Sequence, residues 1–336
     1  MKAIGYKQAL AITEPASLQD IELPIPQATG RDVLVNVKAV SVNPVDTKIR
    51  ANVSAENDEW KVIGWDAAGV VESVGPEVTL FKPGDRVWYA GDISRSGSNA
   101  EYQLVDERIV GSMPESLSFA EAAAMPLTAI TAWEMLFERL QVKPGKHATK
   151  DTLLVVGAAG GVGSVMVQLA RRLTGMKVIG TASRPETQAW LKELGVHAVI
   201  NHSKPLSQEL KRIGVEEVTH LVSLNNTEEH FGEIVESLAP QGKFGLIDDP
   251  SQLDVMGLKR KSISLHWEFM YTRSLYQTED MIGQHYLLNE VAKLIDAGVI
   301  KTTLGNHYGK LNAENLRCAH EHIESQKAKG KLVLEW

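Results

Sequence analysis

The chain has 336 residues, enough for two domains with separate cores, and its 43% hydrophobic and 23% charged content is ordinary for a globular protein. A formal net charge of -7 without a basic cluster excludes a nucleic-acid surface as the primary role. Cys318 is the only cysteine, which excludes a disulfide framework, and no apolar signal core follows Met1-Lys2, so a cytoplasmic protein with no membrane partner is expected.

Residues 1 to about 110 read as strands punctuated by turns. Residues 32–40 alternate apolar and polar side chains at period two, and 67–75 give a further strand. Phe81-Lys-Pro-Gly-Asp-Arg86 carries a Pro-Gly turn and 87–90 continue as strand, so this portion predicts a small β-barrel. From Ser118 the rhythm becomes helical and then alternates. Strands are predicted at 152–156, 177–182, 198–200, 219–224, 243–247 and 262–265, with helices from about 161 and at 185–194, 205–212 and 228–238. Such alternation builds a parallel sheet covered on both faces. A helix near 288–297 leads to a last strand at 331–335, which is expected to return to the first domain.

The most informative stretch is Asp151-Thr-Leu-Leu-Val-Val-Gly-Ala-Ala-Gly-Gly-Val-Gly-Ser164. A strand runs into a glycine-rich turn and then a helix, which is the setting of a dinucleotide fingerprint. Ala158 stands at its first position, followed by Ala159, Gly160, Gly161, Val162 and Gly163. Glycines let the backbone approach a pyrophosphate, and the helix start offers N–H groups and a positive dipole end. A membrane span over 152–170 is the competing reading, since no charged residue occurs there. Four central glycines, each costing roughly 1 kcal/mol in a helix relative to alanine, weigh against it.

Taken in order, six segments resemble the medium-chain dehydrogenase/reductase superfamily in its quinone oxidoreductase branch. They are Ser41-Val-Asn-Pro-Val-Asp46, Gly64-Trp-Asp-Ala-Ala-Gly-Val-Val71, Phe81-Lys-Pro-Gly-Asp-Arg-Val87, Pro126-Leu-Thr-Ala-Ile-Thr-Ala-Trp133, Gly157-Ala-Ala-Gly-Gly-Val-Gly163 and Gly330-Lys-Leu-Val-Leu334. The resemblance implies an α/β protein: a GroES-like β-barrel domain (1–125 and 296–336) that binds substrate, a doubly wound Rossmann domain (126–295), and an active site in the cleft between them. Zinc-dependent relatives carry Gly-His-Glu where this chain has Gly64-Trp65-Asp66, and a cysteine near 44–46 where it has no thiol. Asp46 and Asp66 alone would make a poor zinc site, so no metal is expected.

NAD-specific Rossmann domains place an acidic residue after the second strand. Here Ser183 and Arg184 follow that strand instead and suit a 2′-phosphate, with Glu186 beyond it. The resemblance puts a basic residue at Arg184 and a further donor at His202, so NADPH is the expected cofactor; otherwise Arg184 is a solvated residue and His202 a turn residue. It also places Asn43 and Thr128 near the nicotinamide and substrate. Asn43 would donate to a substrate carbonyl, or serve only as a turn residue before Pro44, and Thr128 would act there or cap its helix. Tyr89, Trp267 and Phe269 are candidates for an apolar pocket wall or for ordinary packing. Asp46 is expected to make a structural hydrogen bond, and His266 is a weaker candidate proton donor.

Hydride transfer from NADPH to an electrophilic quinone or α,β-unsaturated carbonyl compound is the expected activity, with the last proton taken from water. The alternatives are a zinc-free alcohol dehydrogenase and a non-catalytic NADPH-binding protein. A homodimer formed through the edge strand near 262–266 is also expected.

Overall fold

The computed structural model describes residues 1–57 and 59–336, in two compact units: Met1–Ile130 with Tyr271–Trp336, and Thr131–Met270. In chain order the first unit opens with β1 (Lys2–Tyr6), β2 (Gln19–Glu22), β3 (Asp32–Val42), helix α1 (Pro44–Asn52), β4 (Lys61–Val62) and β5 (Asp66–Val74). It continues with β6 (Arg86–Tyr89), β7 (Tyr102–Asp106), β8 (Val110–Ser112), α2 (Phe119–Ala123) and the start of α3 (Pro126–Trp133). The second unit carries β9 (Thr152–Val156), α4 (Gly161–Leu173), β10 (Lys177–Thr181), α5 (Pro185–Leu194), β11 (Ala198–Ile200), β12 (Val218–Ser223), β13 (Leu238–Leu246) and β14 (Ser264–Trp267). The chain then returns to the first unit with β15 (Leu304–Lys310) and β16 (Lys331–Glu335).

Around β3 the first unit assembles a mixed sheet of order β15-β16-β3-β5-β6-β8, with β7 also on β3. Register shifts between Leu34 and Val35 and between Val37 and Ala39 bend β3, so that it pairs along its length with β5, β7 and β16. A second sheet, β2-β1-β4, is joined to the rest by an antiparallel bridge between Ala3 and Ala100. The recorded pairings of the described residues do not close into one continuous ring. β16 lies antiparallel to the end of β3, with Leu332 opposite Val42, and so brings Lys331 beside the β3–α1 junction.

In the second unit six strands pair in parallel in the order β11-β10-β9-β12-β13-β14, the doubly wound arrangement. All five residues of β9, Thr-Leu-Leu-Val-Val, are buried, as a central strand covered on both faces demands. The 152–170 segment is therefore a strand, a turn and a helix. Among the described residues no helix is long and apolar enough to cross a membrane. Two boundaries differ from the sequence expectation. The last parallel strand begins at Ser264 because Ser262 adopts φ +51°, outside the extended region, and the helix expected from 288 runs Gly283–Asp296.

His320 lies in the helix Ala313–Glu324, is fully buried, and has no hydrogen-bond partner for either ring nitrogen among the described residues. Burial, with the nearby Arg50 charge, pushes its pKa down to about 3 from 6.5. Between those values the unfolded chain binds a proton that the native state refuses, so stability falls as pH drops through the window, by about 1.4 kcal/mol per pH unit at most. His320→Leu is expected to lose this acid sensitivity. The difference in melting temperature between variant and wild type should move in the variant's favour from pH 7 to pH 4, and a pH-independent difference would contradict it.

Candidate active site

On the second unit, β9 ends at Val156 and Gly157 turns the chain with φ +77°. A Cβ on Gly157 would lie 2.4 Å from Asn225 Oδ1, and one on Gly163 would lie 2.5 Å from the Ala158 backbone, so both must be glycine. The first helical bond of α4 runs from the Ser164 N–H to the Gly160 carbonyl at 2.9 Å. The N–H groups of Gly161, Val162 and Gly163 therefore have no intrahelical acceptor, whereas that of Gly160 donates to the Gly157 carbonyl at 3.1 Å; a helix start of this kind can receive an anion. The walls at this turn are small side chains and bare backbone, which fits a dinucleotide pyrophosphate.

Thr181, the last residue of β10, ties this turn to its neighbours. Its Oγ1 accepts from the Gly157 N–H at 3.2 Å and stands 3.2 Å from His202 Nδ1. Burial, with His230 close by, lowers the His202 pKa, so its ring is neutral at physiological pH. Ser183 and Arg184 follow β10 at partly exposed positions, and the Arg184 guanidinium pairs with the Glu186 carboxylate at 3.2 Å. The structure thus gathers the glycine turn, Thr181 and His202 into one connected group. Sequence reasoning passed over Thr181; its place as the terminal hydroxyl of the second parallel strand was the available signal.

The first unit holds a buried polar cluster at the β3–α1 junction. Asp66, fully buried at the start of β5, accepts through Oδ2 from Ser41 Oγ (3.0 Å), Asn43 Nδ2 (2.8 Å) and Lys331 Nζ (3.0 Å). Its Oδ1 accepts from the Leu127 N–H at 2.7 Å, so this carboxylate caps α3 just after Pro126. Lys331, 3% exposed, also donates to the Val42 carbonyl (3.0 Å) and to Asn43 Oδ1. Asn43 therefore has its amide oxygen on an ammonium and one amide hydrogen on a carboxylate. The Thr128 hydroxyl donates to the Met125 carbonyl at 2.9 Å, so its hydrogen is committed within the helix start.

Asp46 accepts from the Asn43 backbone N–H at 2.8 Å, half of a capping box for α1. Its other oxygen is buried with no hydrogen-bond partner among the described residues. Burial pushes the Asp46 carboxyl up to about 7, outweighing the pull of the Asn43 N–H and Lys331. Burial, with Asp46, Asp66 and Asp92 nearby, raises the Tyr271 hydroxyl, and the Tyr271 ring meets Trp65 edge-on at 6.0 Å.

A zinc ion does not fit these residues. Trp65 offers no lone pair, Asp66 already accepts from four donors including an ammonium at 3.0 Å, and burial disfavours the ionised form of Asp46, whereas metal ligands must be deprotonated. No group of three or more His, Cys, Asp or Glu suited to a metal occurs among the described residues.

Of the remaining candidates, Tyr89 is fully buried in β6 within the first unit, its hydroxyl without a partner among the described residues. Trp267 and Phe269, on the second unit, are 51% and 48% exposed. His266 Nε2 stands 3.0 Å from Ser264 Oγ, and burial with the Lys243 and Arg139 charges lowers its pKa. Lys331 was missed as a site residue although its segment carries the family resemblance, because nothing local to residues 330–335 marks the carboxylate it meets.

Known proteins resemble this chain along its whole length. The alcohol dehydrogenase GroES-like domain family matches residues 29–132, and the zinc-binding dehydrogenase family matches residues 161–284. A zinc-type alcohol dehydrogenase-like protein of Staphylococcus aureus is 40% identical over 99% of both chains. The human quinone oxidoreductase is 30% identical over 94% of this chain and 92% of its own. Among solved structures, a Rhizobium etli protein provisionally described as a zinc-dependent alcohol dehydrogenase superimposes with a TM-score of 0.96 at 55% identity, covering 100% of this chain and 98% of its own. The Escherichia coli quinone oxidoreductase, solved with NADPH, gives 0.83 at 26% identity over 100% of both chains.

The raised Asp46 pKa carries a stability signature. Between 3.8, its ordinary value, and about 7 the native state holds a proton that the unfolded chain has lost, so this group's contribution falls as pH rises through that window. Asp46→Asn keeps an acceptor for the Asn43 N–H and does not titrate. Relative to wild type, its unfolding free energy in urea is expected to improve by about 1–3 kcal/mol between pH 4.5 and pH 7.5. Parallel stability curves for the two proteins would refute this.

Proposed function

Since the chain belongs to the medium-chain dehydrogenase/reductase superfamily, in its quinone oxidoreductase-like branch, we propose that it is a zinc-independent, NADPH-dependent oxidoreductase acting on a quinone or an α,β-unsaturated carbonyl compound. This reading is supported by the glycine turn and the helix start on one unit, where three N–H groups lack an intrahelical acceptor, and by the buried Asn43–Asp66 cluster on the other, whose carboxylate is taken up by the Lys331 ammonium. Because Trp65 and Asp66 do not suit a metal that would polarise an alcohol oxygen for hydride loss, alcohol oxidation is disfavoured. A quinone or enone is already electrophilic and needs only positioning, exclusion of water and stabilisation of the oxyanion that forms.

In this reading the N–H groups of Gly161 to Gly163 hold the pyrophosphate, and Ser183, Arg184 and His202 hold the 2′-phosphate. NADPH, when bound, supplies the hydride. Asn43 has one amide hydrogen beyond that given to Asp66, and it donates to the substrate carbonyl as negative charge develops there. Thr128, its hydrogen committed to Met125, contributes shape and an acceptor at the same helix start. On the second unit, half-exposed Trp267 and Phe269 supply apolar surface, whereas Tyr89, fully buried in the first unit, supplies none, and the last proton comes from solvent. The exposed edge strand β14, ending in half-exposed Trp267, is the surface through which a homodimer would form, and sedimentation at micromolar concentration tests it.

The decisive experiment is NADPH oxidation with a panel of quinones, enones and simple ketones. Turnover of the first two classes, undiminished by chelators, is expected; tight NADPH binding with no turnover would leave a binding protein instead. For the cofactor, Arg184→Ala should weaken NADPH by about 10- to 150-fold and leave NADH nearly unchanged, as loss of a charge-assisted hydrogen bond predicts. Glu186→Gln should tighten NADPH by up to about fivefold, because the Arg184 guanidinium is then released from its surface ion pair. Equal weakening of both nucleotides by Arg184→Ala would remove the basis for NADPH preference.

A further inference from the structure

We propose that Lys331 is a positioning residue that fixes the orientation of the Asn43 amide and strengthens, as a donor to substrate, the amide N–H that is not given to Asp66. This rests on the role given to Asn43 above. The geometry leaves the ammonium no other use. Each of its three hydrogens has an acceptor: the Val42 carbonyl at 3.0 Å, Asp66 Oδ2 at 3.0 Å, and Asn43 Oδ1. With an ammonium on one side and a carboxylate on the other, the Asn43 amide admits one orientation only. Rotating it by half a turn would face its NH2 to the ammonium and its oxygen to the carboxylate, two repulsions in place of two charge-assisted hydrogen bonds.

An amide oxygen that accepts from a cation withdraws electron density from its nitrogen, so the hydrogen left on Nδ2 becomes a stronger donor. In a buried site this polarisation is poorly screened, and both Lys331 and Asn43 are almost fully buried. The same carboxylate holds the Leu127 N–H, so the ammonium also steadies, through Asp66, the helix start that carries Thr128. Lys331 is thus connected to both candidate residues of the first unit without facing substrate itself.

The test replaces the ammonium and then returns it. Lys331→Met keeps most of the side-chain volume and removes the charge; Lys331→Ala leaves a space lined by Asp66 Oδ2, Asn43 Oδ1 and the Val42 carbonyl. Lys331→Met is expected to lower kcat by about 10- to 100-fold with KM changed less than threefold, since the interaction strengthens as the oxyanion forms. In Lys331→Ala, ethylammonium or propylammonium should restore both melting temperature and kcat, whereas tetramethylammonium, which has no N–H, and sodium should restore neither. Recovery of melting temperature without kcat would reduce Lys331 to a fold support and overturn the proposal, as would wild-type kcat in Lys331→Met.

A readout independent of turnover separates this inference from the reading beneath it. The Asn43 side-chain amide resonances, assigned with Asn43→Asp, should shift in Lys331→Met in the ligand-free protein. Shifted resonances with no reductase activity in the wild type would sink the substrate assignment but leave the positioning role. Unshifted resonances would sink the positioning role. Should Lys331→Ala fail to fold, Lys331→Met and the milder Lys331→Arg carry the kcat, KM and resonance measurements without the amine rescue; Arg keeps the charge but not the three-way geometry, and is expected to fall between wild type and Met.

Discussion

The first unit turns on one buried ion pair, Lys331 Nζ to Asp66 Oδ2, formed between residues 265 apart in sequence. Bringing two charges out of water is costly, and such a pair holds only when the remaining lone pairs and hydrogens are also satisfied. Here they are: Asp66 takes four donors and Lys331 finds three acceptors. Removing one partner of a buried pair costs about 3–5 kcal/mol because the other is left charged and dry. The C-terminal strand is therefore held in register by chemistry as well as by its backbone ladder to β3, and the β3–α1 junction, β5 and the start of α3 are fastened at one point.

On the proposed function, the two units hold a reactant in opposite ways. In the second, recognition is done by absence: glycine at 157 and 163 clears the backbone for close approach, and the helix start exposes N–H groups. Side chains matter only at the rim, where Arg184 rests against Glu186 in a solvent-exposed pair that is weak enough to be exchanged for a phosphate. The first unit instead offers saturated polar side chains, with one Asn43 amide hydrogen left over for the substrate of the proposed reaction. A donor fixed in this way needs little reorganisation when charge develops on a substrate oxygen.

The same cluster bears on the mismatch between a zinc-binding family profile and a chain whose described residues offer no zinc site. Loss of the imidazole and thiol ligands leaves the scaffold that surrounds them, and an ammonium already supplies positive charge beside Asn43 and Asp66. Hydride transfer to an acceptor that is already electrophilic needs only the scaffold.

Periodicity and turn chemistry made most of the fold legible in the sequence. The alternation of strands with helices after residue 150 led to a parallel sheet, and the glycine turn between β9 and α4 followed from a backbone requirement that only small residues meet. Absence of a cysteine at 44–46 and of a histidine at 65 likewise spoke against zinc without any coordinates. Other features depended on distance in space. Nothing local marks Lys331 as the partner of Asp66, Thr181 as the link between the glycine turn and His202, or Tyr89 as wholly buried and Trp267 as half exposed. Local composition determines which element forms, because helix and strand are stabilised by neighbours a few residues away. The identity of a buried charge's partner is decided by tertiary structure, because desolvation and Coulomb energy depend on which chain segments meet once water is excluded.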